Sequence, residues 1–195
     1  MTATIAAIIW ALGVIGWVAI RQPHQRRARK LKTVTDARSW SDRLALGFAS
    51  ACLSIVPLVY VLTGAPAFAD YEFHPWMGWL GLAVQVAFLC LFYASHRQLG
   101  KNWSITLEIR DKHELVTDGL YRFVRHPMYS SFWLWAIAQA LLIPNWIAGL
   151  AGLVGVAVLY LMRVGPEEAM MRKTFGAAYD EYARRTGRVV PRIFG

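Results

Sequence analysis

The stretch "PMYSSFWLWAIAQALLIPNWIAGLAGLVGVAVLYLM", Pro127–Met162, contains no Asp, Glu, Lys or Arg. Only Pro144-Asn145-Trp146 interrupts its apolar character. A helix needs about 17–25 predominantly apolar residues to cross the hydrocarbon core of a bilayer. Pro127–Ile143 and Trp146–Met162 each reach that length, so the stretch reads as two membrane helices. So short a connection demands an antiparallel hairpin. Three more charge-free runs precede it: Thr4–Ile20, Leu44–Thr63 and Trp76–Ser95, which makes five runs of 17 to 20 residues. In a chain of 195 residues no amphipathic layer is left to surround five such helices as a soluble core. The predicted fold is an all-α integral membrane protein with five transmembrane helices, a helix 4–5 hairpin and a cytoplasmic C-terminal helical tail.

Composition agrees. The chain is 56% hydrophobic and 17% charged, where soluble domains are about a quarter charged. Its net charge is +9. That excess would suit a nucleic-acid binder, but its placement points elsewhere. The 21 Lys and Arg fall in Arg21–Arg43, Arg97–Arg125 and Arg163–Arg192. The loop Gly64–Pro75 has none and carries Asp70 and Glu72. With the N-terminus outside, every Lys and Arg lies on the cytoplasmic side, as the positive-inside bias requires. The charge reports topology in the inner or plasma membrane and attraction to anionic lipid heads. No aromatic motif for stacking bases is interleaved with it, so no nucleic-acid role is expected. The first run lacks a basic n-region and reads as a retained helix rather than a signal peptide. Cys52 and Cys90 lie inside predicted helices without zinc-site spacing, so no metal site is expected.

The residues between the helices suggest finer structure. Pro23 and the surrounding like charges suit an interfacial linker, with a short surface helix near Gln25–Lys32. The alternation Ile105–Leu107–Ile109 suggests an extended piece. Thr117-Asp118-Gly119 reads as a turn. Trp40, Trp76, Trp79, Trp103 and Trp146 fall near helix ends, where interfacial Trp is common. Gly149, Gly152 and Gly155 do not fit a nucleotide-binding G-x-G-x-x-G loop. They suit close approach of another membrane helix. The polar tail from Pro166 reads as helical, with Phe175, Tyr179 and Tyr182 on one face. Residues 1–98 form helices 1–3 with their linkers and residues 99–195 the catalytic region, within one structural domain.

Two polar clusters flank the last hairpin. Arg125-His126-Pro127-Met128-Tyr129 enters helix 4. Arg163-Val164-Gly165-Pro166-Glu167-Glu168 leaves helix 5. The two ends of an antiparallel hairpin meet, so the clusters should be neighbours. Pro127 suits the first helical position, where its missing N–H costs nothing. Gly165-Pro166 should break helix 5 and place Glu167 and Glu168 in the first turn of a new helix. Arg125 taken alone could simply snorkel to lipid phosphates.

The pattern "NWS…KHELVTDGLYRFVRHPMY…NW…R…PEE…FGAAYDEYARRTGRVVP" resembles the isoprenylcysteine carboxyl methyltransferase family of integral membrane enzymes. The likeness covers Leu99–Pro191 and is strongest to prokaryotic-type members. The wider superfamily includes phospholipid N-methyltransferases and, more distantly, sterol reductases. The resemblance implies S-adenosylmethionine in a cytoplasmic pocket capped by the tail. Cofactor positions carry over to His113, Glu114, Leu115, Val116, Tyr121, His126, Pro127, Met128, Tyr129 and Glu167. Arg163 matches the position that holds a substrate carboxylate, so Arg163 and Glu167 are the expected catalytic pair. The lipidic substrate would enter from the bilayer.

These residue types suit that chemistry. Glu167 can accept from the cofactor's ammonium. Tyr129 can lie near its sulfonium, and His126 can face its carboxylate or ribose. A carboxylate acceptor is already ionised at neutral pH and needs no general base. The alternative acceptor, a lipid amine, must lose a proton, with Glu168 or His126 as candidate base. A nicotinamide-dependent reductase and a non-enzymatic membrane protein are weaker readings.

Overall fold

The computed structural model describes residues 1–28, 33–36, 40–100, 108–110 and 114–192. Helix α1 spans Ala3–Ala28, and α2 spans Trp40–Thr63. Helix α3 is Pro75–Leu99, α4 is Pro127–Leu142 and α5 is Trp146–Phe175. The short α6, Ala177–Arg185, follows. The segments Thr33–Asp36 (β1) and Glu108–Arg110 (β2) pair antiparallel. Of the expected extended piece, Ile109 lies in β2, while Ile105 and Leu107 lie outside the described residues.

Helices α1, α2, α3 and α5 are long and apolar enough to cross a membrane. Large apolar side chains such as Leu12, Leu62, Trp79 and Leu161 point outward from them. Together with their number, these faces make the chain a multi-pass integral membrane protein. The fifth expected span is shorter than predicted. Helix α4 has 16 residues and stops at Leu142. Ile143 precedes Pro144 and is extended (φ −113°, ψ 100°), because proline's ring disfavours helical backbone in the residue before it.

Helix α4 is the centre of the bundle, packed against α3 on one side and α5 on the other. Phe88 and Trp135 stack there with centroids 5.0 Å apart. Helix α1 packs on α3 and α2 on α5. Contacts between α4 and α5 run antiparallel: Gln139 meets Ala148 at one end and Tyr129 meets Glu167 at the other. At the tight turn, Asn145 caps α5 by accepting from the N–H groups of Ile147 and Ala148 at 3.0 and 2.9 Å. Its amide donates to Pro66 O and Asp70, tying the loop between α2 and α3 to the same end.

Gly149, Gly152 and Gly155 of α5 behave as close-approach positions. A Cβ on Gly155 would lie 2.6 Å from Cys52 Cβ and 3.2 Å from Ala49 Cα, both on α2. At this contact α2 contains a π-helical turn, Ala51–Ile55. Wide turns leave carbonyls open to other donors. Gln139 Nε2 donates to Cys52 O at 3.1 Å and to Ala148 O at 2.7 Å. One buried amide thus fixes α2, α4 and α5 together.

Two expected breaks are absent. Helix α1 runs through Pro23 to Ala28, and α5 runs through Gly165-Pro166 to Phe175. A proline in a helix removes one i→i−4 hydrogen bond and crowds that carbonyl. Both prolines lie near the basic end of the bundle. At α5 the ties of Glu167 and Glu168, described below, hold the residues beyond the proline in place. Those two residues therefore lie mid-helix, not in a first turn.

Candidate active site

The site is built at the end of the bundle that gathers the basic residues. His126 is the last residue before α4 (φ −127°, ψ 62°), and Pro127 takes the first helical position as expected. The C-terminal tail lies alongside this entrance. The N–H groups of Arg125 and His126 donate to Gly187 O and Arg188 O at 2.8 and 2.9 Å. Ser130 Oγ donates to Val189 O at 2.6 Å. Tyr182 donates to Tyr121 O at 2.7 Å, which lays α6 over the 3-10 turn Gly119–Arg122. Tyr179 and Tyr182 are buried and Phe175 half-buried, in line with their expected inward face. Gly119 needs its left-handed backbone (φ 56°), and Gln98 fills the space its Cβ would occupy.

The two neighbouring carboxylates have different surroundings. Glu168 has only 2% of its side chain exposed. Its Oε1 accepts from Arg125 Nε and Nη2 at 3.1 and 3.0 Å, and its Oε2 from Arg188 Nη2 at 3.1 Å. His126 Nε2 lies 3.4 Å from Oε1. Glu168 is thus the knot that ties the tail to the hairpin. Glu167 keeps 31% of its side chain exposed. Its Oε2 accepts from the Tyr129 hydroxyl at 3.0 Å, and its Oε1 is 3.7 Å from His126 Nδ1.

His126 stands between the two acids. Burial alone would push its imidazole down, but hydrogen bonds and charge from Glu167 and Glu168 outweigh burial and raise its pKa to about 9. It is therefore an imidazolium at neutral pH. Burial, and then the charge of Glu167, pushes the Tyr121 phenol well above its usual value. Tyr121 remains a neutral wall of the site.

Arg163 lies one helical turn before Glu167 on α5. Its Nε is 2.7 Å from Asp42 Oδ1, and the two side chains are only 11% and 3% exposed. Tyr129 is within electrostatic reach of Glu167, Arg163 and Asp42.

Tyr121, His126, Tyr129, Arg163 and Glu167 are thus brought together as the sequence suggests. Pro127 is buried, and half-buried Met128 packs toward the Phe88–Trp135 core. Glu114 is exposed, and Leu115 and Val116 are half-buried in the segment leading to the 3-10 turn. His113 lies outside the described residues. Arg125 does not snorkel: besides Glu168 it donates to the carbonyls of Ala183 and Thr186 at the end of α6.

Sequence reasoning missed three parts of the site. Asp42 carried a signal, since an acid at the foot of an apolar run invites a search for its partner. The partner, Arg163, lies far along the chain and only the fold reveals it. The role of Arg188 left no signal, because one Arg in a basic tail looks like any other. Glu168 was legible as half of an acid pair, but not as the half that holds the tail.

The arrangement offers a partly open carboxylate braced by a phenol and an imidazolium, with a buried guanidinium one turn away. It can receive an ammonium and orient a carboxylate.

Residues 79–173 match the model of the isoprenylcysteine carboxyl methyltransferase family. Protein-S-isoprenylcysteine O-methyltransferase B of Arabidopsis thaliana is 31% identical over 64% of this chain and 64% of its own length. The Schizosaccharomyces pombe protein-S-isoprenylcysteine O-methyltransferase is 33% identical over 55% of this chain and 48% of its own. The chain therefore spans less than two thirds of either relative. A solved structure of the eukaryotic intramembrane Ras methyltransferase ICMT superposes with a TM-score of 0.54 at 24% identity, covering 82% of this chain and 55% of that one. That likeness extends the shared fold beyond the residues the family model matches. By sequence through residues 79–173 the chain is similar to the isoprenylcysteine carboxyl methyltransferase family, and it shares the fold of that solved structure.

Proposed function

We propose that the protein is an S-adenosylmethionine-dependent membrane methyltransferase that esterifies the carboxylate of an isoprenylcysteine-like or other lipidic substrate. The observation that carries this reading is the pairing on α5 of a partly exposed acid, Glu167, with a buried cation, Arg163, one turn apart. The family match and the activities for which the relatives are named support it.

The residues suit the cofactor. Glu168 is engaged by Arg125, Arg188 and His126. Glu167, 31% exposed, is the acid able to accept from an amino-acid ammonium. Tyr129 and His126 hold its carboxylate in place. The resemblance also assigns His113, Glu114, Leu115, Val116, Tyr121, Pro127 and Met128 to the cofactor. The bound cofactor supplies a methyl group on a sulfonium. Arg163 orients the acceptor carboxylate toward it, as a guanidinium suits a carboxylate's geometry. Positioning and exclusion of water then carry the rate.

The lipid-amine alternative is weaker on this geometry. It needs a base to take the amine proton. Its two candidates are Glu168, saturated by cations, and His126, whose pKa of about 9 keeps it protonated. Arg163 would also repel an ammonium acceptor.

We place five crossings in the membrane, counting α4 with Ile143, and the α4–α5 hairpin turn on the outer side. The N-terminus and the loop before α3 are outside, and the active site and C-terminal tail are cytoplasmic, in the inner or plasma membrane. Charge placement supports this orientation. Residues 1–98 brace the catalytic region 99–195, with Asp42 reaching across, and the lipidic substrate enters from the bilayer.

Calorimetry on detergent-purified protein tests the cofactor reading: S-adenosylhomocysteine should bind, and no heat at millimolar ligand would reject it. Reporter fusions at Met1, Asp70 and Gly195 test the orientation; a cytoplasmic signal from Asp70 would reverse it.

A further inference from the structure

The guanidinium assigned to the acceptor carboxylate already has a carboxylate beside it. Asp42, in the first turn of α2, is 4% exposed as a residue. Its Oδ1 is 2.7 Å from Arg163 Nε. An acid in a helix's first turn complements the helix dipole from solvent. Burial of this one goes beyond that role, since a buried charge needs a partner. The elements around it are arranged to hold the contact. Helix α2 is pressed on α5 at Gly155 and pinned by Gln139 at its π-turn. Tyr129, already bonded to Glu167, senses both Asp42 and Arg163.

Carboxylate methylation annihilates charge. As the carboxylate oxygen forms its bond to the methyl carbon, the carbon–sulfur bond breaks and its electron pair returns to sulfur. An anion and a sulfonium become a neutral ester and a neutral thioether, with no proton transferred. A cation held against the nucleophile therefore stabilises the ground state more than the transition state. By the logic of differential binding, that interaction lowers KM but opposes turnover. A guanidinium whose charge is offset by a fixed carboxylate still orients through its planar N–H groups.

We propose that Asp42 is a positioning residue of the reaction: it fixes the Arg163 guanidinium and offsets its charge, so that the acceptor carboxylate is oriented without being trapped. This rests on the carboxylate-acceptor reading above.

The test uses the full-length protein in detergent, with N-acetyl-S-farnesylcysteine and its methyl ester as probes. Asp42→Asn should bind the acid at least threefold more tightly than wild type and leave the ester's affinity unchanged. Its kcat should fall tenfold or more while KM for the acid falls. Asp42→Glu, which keeps the charge, should retain wild-type KM within about twofold and most of kcat. Unchanged acid affinity in Asp42→Asn, or weakening of acid and ester alike, would overturn the proposal. If Asp42→Asn does not fold, Asp42→Glu decides: loss of its activity with normal folding would overturn it. Wild-type protein that binds the acid but does not methylate it would sink the functional reading instead, while the acid-against-ester comparison still judges Asp42.

Discussion

The Tyr129 hydroxyl donates to Glu167 Oε2 at 3.0 Å, joining the first turn of α4 to α5 just beyond Pro166. This bond closes the hairpin over the proposed cofactor site, and it aims the one acid of the pair that remains open. Glu167→Gln removes the charge while keeping the shape. A hydrogen bond to a charged group contributes about 1.5–3 kcal/mol, so affinity for S-adenosylhomocysteine should fall roughly 10- to 100-fold. Calorimetry reads this directly, and an unchanged Kd would reject the ammonium role.

Glu168→Gln should act on the fold instead. It leaves Arg125 and His126 buried without the carboxylate they share. Breaking a buried ion pair from one side costs about 3–5 kcal/mol. Arg188 is half exposed, so water compensates for its share. Thermal unfolding in detergent should show a larger drop for Glu168→Gln than for Glu167→Gln. The reverse order would show that the roles are misassigned.

The His126 imidazole, ordinarily titrating at 6.5, is raised to about 9 in the fold. Its protonation therefore contributes fully to stability below pH 6.5, and the contribution is lost as pH rises through 9. The melting temperature should decline across that window, and His126→Gln should flatten the decline. An equally steep profile in the variant would place the titration elsewhere.

The membrane class and the helix order were legible because five charge-free runs of bilayer length leave no polar face for a soluble fold to turn to water. The two polar clusters were legible because charge at the mouth of an apolar helix is costly. The helix through Gly165-Pro166 was not, because local breaker signals argued for a break that tertiary ties at Glu167 and Glu168 override. The end of α4 at Leu142 rests on one proline, and the apolar pattern continues past it. Asp42–Arg163 and Arg188–Glu168 were invisible for a different reason: pairs distant in sequence leave no periodicity.

Gly155→Leu should separate α2 from α5. Its Cβ would begin 2.6 Å from Cys52 Cβ, with Ala49 backbone behind it. Overpacking of this kind costs about 1–3 kcal/mol. The shift would also loosen Asp42 from Arg163, so turnover should fall while S-adenosylhomocysteine affinity stays within about twofold. Equal loss of both would mean that the strain reaches the cofactor site.

Methyl transfer to a lipidic carboxylate can be read with radiolabelled S-adenosylmethionine, purified protein and either N-acetyl-S-farnesylcysteine or phosphatidylethanolamine as acceptor. The expected product is base-labile methyl ester on the farnesylcysteine, abolished by Arg163→Ala, with no label on the phospholipid. Label on phosphatidylethanolamine alone would contradict a carboxylate acceptor.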